Sequence, residues 1–247
     1  VDLDVLLIIA GNASQELQAV IVSHRGDGAG DLVRGIGFED RAGDRPQVVL
    51  PQEQLAAQGL SRPTHILVQA GVGSLAAATI GFYASLFGKE CPKSIVIEPT
   101  RAACLYRSAQ VGDGQPYSVE GDLDTIMAGL ACGEPNPIAW EILKETVDYF
   151  AICPDYVAAM GMRVYGVPLK GDPVVISGES GAVTLGTLMY LMKQDFAREL
   201  REKLELGPDS HVLLINSEGN TSPDDFRYVV WEGGIPVPEE YKMYSPR

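Results

Sequence analysis

Cysteine and histidine are scarce in this chain, and neither occurs in a pattern that binds metal. The 247 residues include 4 cysteines and 3 histidines, and no two cysteines stand in the C-x-x-C spacing of common zinc sites. A metal centre is therefore not expected. Four cysteines are also too few for a disulfide framework in a chain of this length, which favours the reducing cytoplasm as its location.

Basic residues and long apolar runs are also few. The sequence has 19 Lys and Arg residues against 33 Asp and Glu residues, a net charge of −14, so nucleic acid and membrane surfaces are not expected partners. No apolar run reaches the ~18 residues of a transmembrane helix. The apolar stretch at residues 3–10 is short and contains an aspartate, unlike a signal peptide. A small anionic ligand stays compatible with the net charge, since backbone amides can bind it.

What the chain does have is an alternation of apolar strands and helices. Hydrophobic residues make up 46% of the sequence, which is enough to form a core. We predict strands at 3–10, 66–69, 94–98, 174–176 and 212–215, and helices at 52–60, 75–86 and 140–150. A further long helix is predicted to follow residues 177–181 and to end at residue 192. Because the strands are uniformly apolar and alternate with helices, the expected fold class is α/β, with an open, mostly parallel sheet covered by helices on both faces.

Glycines and polar residues follow several of these strands, where parallel sheets bind their ligands. These positions are Gly71 and Gly73, Glu98, residues 177–181, and Ser217. At residues 71–74 a strand passes through two glycines into an alanine-rich helix, an arrangement whose free N–H groups can hold a phosphate or a carboxylate. An ordinary tight turn between a strand and a helix explains the same pattern equally well.

Six segments occur in an order that is similar to one enzyme family. They are residues 69–74, 96–99, 104–108, 121–137, 177–183 and 217–219, of which 121–137 is the longest and most specific. The series resembles the C-terminal half of the diaminopropionate ammonia-lyases, pyridoxal-phosphate enzymes with the tryptophan-synthase-β fold (fold type II). The resemblance covers residues 53–247 and implies the large α/β domain of that fold. Residues 1–52 do not resemble the family and form an unassigned N-terminal segment.

The resemblance implies a cofactor, a reaction and a set of binding residues. The cofactor is pyridoxal 5′-phosphate, and the reaction is α,β-elimination of ammonia from 2,3-diaminopropionate, which yields pyruvate and a second ammonia. Gly71, Val72, Gly73 and Ser74 match the loop around the cofactor phosphate. Ser217 matches the residue whose hydroxyl faces the pyridine nitrogen, and Glu179 and Ser180 match the segment beside the ring; these seven are the implied cofactor-binding residues. Judged without the family, Ser217 is an ordinary strand-end turn residue and Glu179 an ordinary helix-start acid.

The family's covalent lysine has no counterpart in this chain. In the family that lysine lies upstream of the glycine turn, whereas the first of the seven lysines here is Lys89. No catalytic residue is therefore assigned, and the chain is expected to be inactive alone. It is then a truncated or rearranged member, a non-catalytic phosphate-ligand or cofactor-binding module, or one part of a split enzyme. The implied partners are a small amino-acid substrate and either a second copy, as in the family's homodimers, or a chain that supplies the missing half.

Two further features leave alternatives open. Cys132 and Cys153 fit a paired arrangement near the active site, although small buried residues explain them more simply. A nucleotide is a less favoured ligand for the glycine turn, because Ala76 stands where the dinucleotide fingerprint has its third glycine.

Overall fold

Five parallel strands form a single open sheet. The computed structural model describes the strand at residues 5–9, residues 55–56, 60–170, 172 and 174–244. The strands are β1 (Val5–Ile9), β2 (His65–Gln69), β3 (Lys93–Pro99), β4 (Tyr149–Cys153) and β5 (Val212–Asn216), in the spatial order β1-β5-β2-β3-β4. All neighbouring pairs are parallel. The carboxyl ends of all five strands therefore lie at one edge of the sheet, called the carboxyl edge below.

Besides the helical residues 55–56, seven α-helices are present in the described part of the chain. They are α1 (Ser74–Phe87), α2 (Cys104–Val111), α3 (Pro137–Thr146), α4 (Asp155–Gly166), α5 (Glu179–Lys193), α6 (Arg198–Leu204) and α7 (Pro223–Val230). Short 3-10 turns lie at Gly88–Glu90, Ala128–Leu130, Asp195–Ala197 and Glu239–Tyr241. In this part of the chain no helix is long and apolar enough to cross a bilayer.

The central strands are buried on both faces, which explains why their sequences are apolar throughout. Every residue of β2 and of β5 is buried. Ile66 and Val68 face a core with α1 and α3, whereas Leu67 between them faces a second core with α4 and α5. The predicted α/β class, with a parallel sheet between two helical layers, is confirmed.

The helices α4 and α5 touch through their backbones. An added Cβ at Gly161 in α4 would lie 2.1 Å from the carbonyl oxygen of Ala182, and one at Gly186 in α5 would lie 2.0 Å from that of Val157. Real Cβ atoms do not approach this closely, so both positions require glycine. The start of α5 lies at the carboxyl edge, where the N–H of Ser180 donates to the carboxylate of Glu218 just after β5.

Two of the predicted elements are wrong. The run at 174–176 is not a strand: its central residue Val175 donates its N–H to the carbonyl of Tyr165 in α4, while Val174 and Ile176 are exposed. The predicted helix at 140–150 ends at Thr146, because the extended backbone of Val147 leads the chain into β4. Short apolar runs fit either period, and here the parallel pairing with β3 decided the outcome.

The other predicted strands and helices that the structure describes are present. The strand predicted at 3–10 is β1, which pairs with all five residues of β5. β1 lies at one edge of the sheet, so the predicted N-terminal segment contributes an edge strand. Residues 55–56 of the helix predicted at 52–60 are helical, and most of the rest of that helix lies outside the described residues.

Candidate ligand site at the carboxyl edge of the sheet

The glycine turn at residues 71–74 connects the end of β2 to the start of α1. Gly73 is the residue that caps α1, and its φ of 97° lies in the left-handed region that favours glycine. An added Cβ there would lie 3.1 Å from methyl groups of Leu105 and Leu143, so the turn is packed closely on its inner side. Val72 is exposed, and Gly71 and Ser74 are half-buried, so a ligand can reach the outer side.

Three other helices at this edge have their first amides bound by side chains. Glu98, at the end of β3, accepts two backbone N–H groups of α2 at 2.9 and 2.6 Å. Asn136 accepts two N–H groups of α3 at 2.9 and 3.1 Å. Glu218 accepts the N–H of Ser180 in α5 at 2.6 Å. The positive ends of α2, α3 and α5 are therefore already occupied by acceptors.

The start of α1 differs from these three helices. Its cap residue is a glycine that makes no side-chain hydrogen bond, and its first turn has no acidic residue. The first intrahelical bond to the cap runs from the N–H of Ala77 to the carbonyl of Gly73, so the earlier N–H groups have no partner within the helix. Among the described residues no side chain accepts them. Converging N–H groups at the positive end of a helix form a site for an anion such as a phosphate.

The segment 128–136 packs along the glycine turn and fixes its position. An added Cβ at Gly71 would lie 2.9 Å from Sγ of Cys132 and 3.4 Å from the carbonyl oxygen of Gly129. The N–H of Asn136 donates to the carbonyl of Val72 at 2.8 Å. Its side-chain amide also donates to Oγ of Ser74, at 3.3 Å. The turn is thus held by contacts on both sides of Val72.

The two cysteines considered as a pair lie in different surroundings. Cys132 contacts Gly71, whereas Sγ of buried Cys153 lies 3.1 Å from Oγ1 of Thr187 in α5. Both are thiols in this structure. Within the described residues, no three or more His, Cys, Asp or Glu side chains gather as a metal site would require.

Ser217 lies at the same edge as the glycine turn. It follows β5 directly, and its Oγ accepts a hydrogen bond from Nε2 of Gln69 at 2.6 Å. Gln69 is the last residue of β2 and stands two positions before Gly71, so this bond joins the two strand ends next to the turn. Gln69 is buried, and its Oε1 has no hydrogen-bond partner among the described residues.

Ser180 and Glu179 begin α5 and lie beside the segment that packs on the turn. Oγ of Ser180 is buried and has no hydrogen-bond partner in the described part of the chain. An added Cβ at Gly129 would lie 3.2 Å from this Oγ, and the same glycine also neighbours Gly71. Glu179 is half-buried, and desolvation together with the nearby Glu218 raises the pKa of its carboxyl. The turn, Ser180 and Ser217 are therefore neighbours at one edge of the sheet.

Sequence reasoning missed the residues that connect these parts. Gln69, Asn136 and Glu218 all lay in the segments compared with the family, but none received a role. Asn136 precedes Pro137, and an Asn cap followed by proline is a recognisable helix start. The contacts of Gln69 with Ser217 and of Glu218 with Ser180 join residues far apart in the chain, so no local pattern indicates them.

The lysines lie away from this cluster or at the surface. Lys93 is the first residue of β3, at the opposite edge of the sheet, where it pairs with Glu205 at 2.9 Å. Lys144 is half-buried in α3 and pairs with Glu141 at 2.8 Å. The remaining five are exposed: Lys89, Lys170, Lys193, Lys203 and Lys242.

Comparisons with known proteins agree with this geometry. A family model described as "Pyridoxal-phosphate dependent enzyme" matches residues 46–218. Diaminopropionate ammonia-lyase of Salmonella typhimurium is 47% identical over 182 residues, which are 73% of this chain and 45% of that protein. The chain thus spans less than half the length of this curated relative.

Solved structures show the same similarity. Escherichia coli diaminopropionate ammonia lyase, in complex with an aminoacrylate-PLP azomethine reaction intermediate, matches with a TM-score of 0.69 and 44% identity, over 78% of this chain and 48% of that one. Maize serine racemase matches with a TM-score of 0.58 at 18% identity, over 76% of this chain and 52% of that one. The second match supports the fold alone.

Proposed function

The chain belongs to the pyridoxal-phosphate dependent enzymes, and from this we propose that its carboxyl edge binds pyridoxal 5′-phosphate. Gly71, Val72, Gly73 and Ser74 hold the phosphate through their backbone amides, and the hydroxyl of Ser217 faces the pyridine nitrogen. Glu179 and Ser180 support the ring from the start of α5. We propose that the domain of this family extends over residues 53–247, the range of the resemblance; the family model itself matches residues 46–218.

The observation that supports this proposal most strongly is the difference between the helix starts. Glu98, Asn136 and Glu218 fill the starts of α2, α3 and α5. The start of α4 has no side-chain cap either, but the acidic Asp155 lies in its first turn. The start of α1 has neither a side-chain acceptor among the described residues nor an acidic residue in its first turn. A phosphate dianion supplies the missing acceptors and is attracted by the helix dipole. Buried Gln69 Oε1 also lacks a partner here, which is more typical of a binding site than of a finished core.

The hydroxyl of Ser217 determines the electronic character of the bound ring. A neutral hydroxyl can donate to the pyridine nitrogen but does not protonate it, unlike a carboxylic acid. When bound, the cofactor supplies an electron sink for chemistry next to an amino-acid nitrogen. A largely unprotonated ring is a moderate sink, which suits elimination from a β-substituted amino acid.

The reaction proposed for the family site is elimination of ammonia from 2,3-diaminopropionate, in the cytoplasm, with a small amino acid as substrate. We propose that these 247 residues alone do not turn over. Covalent attachment of the cofactor requires a lysine, and the lysines here are exposed or paired with glutamates. Activity would then need a chain that supplies the other half, in addition to any homodimer.

A second candidate is a binding module or partner subunit without catalysis. It shares the phosphate site of the first proposal and differs in having no enzymatic role in any assembly. The lack of a lysine at the carboxyl edge, within the described residues, favours this binding module. The sequence identity with an ammonia-lyase favours the elimination reaction instead.

Calorimetric titration with pyridoxine 5′-phosphate tests the phosphate site. This probe has an alcohol in place of the aldehyde, so it cannot react with surface lysines. The test variant is Val72→Glu, and Val72→Gln is the matched control at the same exposed position. We expect the glutamate to weaken binding about tenfold, because like charges a few ångströms apart near a surface repel by about 1–4 kcal/mol. The glutamine variant should bind about as well as the unchanged chain. Equal binding by both variants would place the phosphate elsewhere.

Borohydride reduction and a turnover assay test the proposal that the isolated chain neither attaches the cofactor covalently nor turns over. With pyridoxal 5′-phosphate and 2,3-diaminopropionate, the isolated chain should release no pyruvate. After reduction, mass spectrometry should find no single lysine that carries the cofactor at a level that saturates as the cofactor concentration rises. A stoichiometric adduct at one lysine, together with pyruvate release, would refute the proposal of inactivity and leave the phosphate site standing.

A further inference from the structure

We propose that Gln69 is a positioning residue that directs the hydroxyl proton of Ser217 toward the pyridine nitrogen of the cofactor. This inference rests on the proposed function and adds to it a residue that sets the direction of one hydrogen bond. Its starting observation is the contact of 2.6 Å in which Nε2 of Gln69 donates to Oγ of Ser217.

The side chain of Gln69 is held in place by the sheet. Gln69 is opposite Ile97 in the parallel pairing of β2 with β3, and the following N–H, that of Ala70, donates to the carbonyl of Ile97 at 2.9 Å. Only 1% of Gln69 is exposed. The amide therefore starts from a rigid backbone position and has little space for another rotamer.

The direction of the bond determines what Ser217 can still do. A serine hydroxyl has one proton to donate and two lone pairs that accept. Gln69 uses one lone pair, and the amide NH2 group cannot accept the serine proton in return. Among the described residues none accepts a hydrogen bond from Ser217. Its proton therefore stays available for an acceptor on a ligand, and an unprotonated pyridine nitrogen is an acceptor with no proton of its own.

The neighbouring polar groups do not compete for this role. Oδ1 of Asn216 accepts from the hydroxyl of Ser177 at 3.0 Å and from the N–H of Glu218 at 3.3 Å. The carboxylate of Glu218 accepts the N–H of Ser180. These groups stabilise the loop after β5, whereas Gln69 is the described residue that contacts the Ser217 hydroxyl.

The buried oxygen of Gln69 that has no hydrogen-bond partner allows a test of whether this side chain serves ligand binding or only stability. A buried acceptor without a partner destabilises a fold, so a side chain selected only for stability would be apolar at this position. Gln69→Met keeps the length of the side chain and removes both the donor and the unpartnered acceptor. We expect this variant to be at least as stable as the unchanged chain in urea denaturation and yet to bind pyridoxine 5′-phosphate several-fold more weakly.

The direct readout is the nitrogen-15 resonance of ring-labelled pyridoxine 5′-phosphate bound to each protein. In the unchanged chain it should be that of a neutral, hydrogen-bonded pyridine. In Gln69→Met the hydrogen bond should be weakened, and the resonance should move toward that of the free neutral ring. In Gln69→Glu the carboxylate accepts the serine proton, so the serine lone pairs face the ring and the resonance should move toward that of a pyridinium.

A double-mutant cycle completes the test. In a Ser217→Ala background, Gln69→Met should change neither the affinity nor the resonance. Ligand that binds with the same nitrogen resonance in the unchanged chain and in both Gln69 variants overturns the role of Gln69 while leaving the phosphate site intact. If Gln69→Glu does not fold, the methionine variant and the cycle decide alone. No binding to the unchanged chain overturns this inference and the proposed function together.

Discussion

Replacement of Glu98 by glutamine makes a quantitative prediction about the carboxyl group at the end of β3. Glu98 is buried, and the removal of water raises the pKa of its carboxyl from 4.5 to about 7, although two N–H groups of α2 favour the ionised form. Between these two values the native state holds a proton that the unfolded state has released. The free energy of unfolding therefore falls as the pH rises through this range.

The size of the effect follows from the two pKa values. Between about pH 5.5 and about pH 8, a carboxyl with a pKa of 4.5 unfolded and about 7 folded lowers the free energy of unfolding by about 2 kcal/mol. The lower limit of pH stays above the isoelectric point, which is near 4.6. Glutamine does not titrate, so Glu98→Gln should lack this part of the pH dependence.

Urea denaturation at these two pH values measures the difference. The glutamine side chain loses one acceptor for the amides of α2, and this loss is the same at both pH values, so only the change with pH is compared. Glu145→Gln, at an exposed position in α3, is the matched control and should follow the unchanged chain. If Glu98→Gln and the unchanged chain lose the same stability between the two pH values, within about 0.5 kcal/mol, Glu98 ionises normally and the reasoning from burial is wrong.

Two further predictions concern the fold around the site. Gly161→Ala should lower the free energy of unfolding by about 3 kcal/mol or more in thermal melts, since its Cβ would lie 2.1 Å from the carbonyl oxygen of Ala182. The control is Gly207→Ala, whose added Cβ would have no atom within 4 Å, and it should be close to neutral in the same melts. Asn136→Ala should cost about 1 kcal/mol through loss of the α3 cap, whereas Asn136→Asp keeps an acceptor and should cost less than half of that. A neutral Gly161→Ala would contradict the backbone contact between α4 and α5, and equal losses for both Asn136 variants would contradict the cap.

The central strands and the glycine turn could be predicted because their signals are local. Residues 65–78 contain an apolar run, two glycines and an alanine-rich segment in succession, and each part has one favourable structure. The strand at 149–153 was missed because its aromatic residues also fit the preceding helix, and only the edge of β3 selects the extended form. The run at 174–176 has the composition of a strand but bonds to α4 instead.

The site itself was predicted in its separate parts but not in its connections. The strand ends indicated Gly71, Gly73, residues 177–181 and Ser217 as ligand positions, and the family resemblance gave roles to 71–74, 179–180 and 217. The structure brings the turn, Ser180 and Ser217 to one edge. Gln69 and Ser217 are 148 positions apart, and their contact depends on β2 and β5 lying side by side. Such contacts follow from the sheet order, which the apolar pattern of single strands does not specify.

The central claim is that the start of α1 binds the phosphate of the cofactor, and comparison of pyridoxine 5′-phosphate with pyridoxine tests it most directly. The two probes share the ring and differ in the phosphate. Since several charge-assisted hydrogen bonds to the phosphate contribute about 1.5–3 kcal/mol each, the phosphate ester should bind at least about a hundredfold more tightly in calorimetric titrations at one ionic strength. Equal affinity for the two probes would contradict the account.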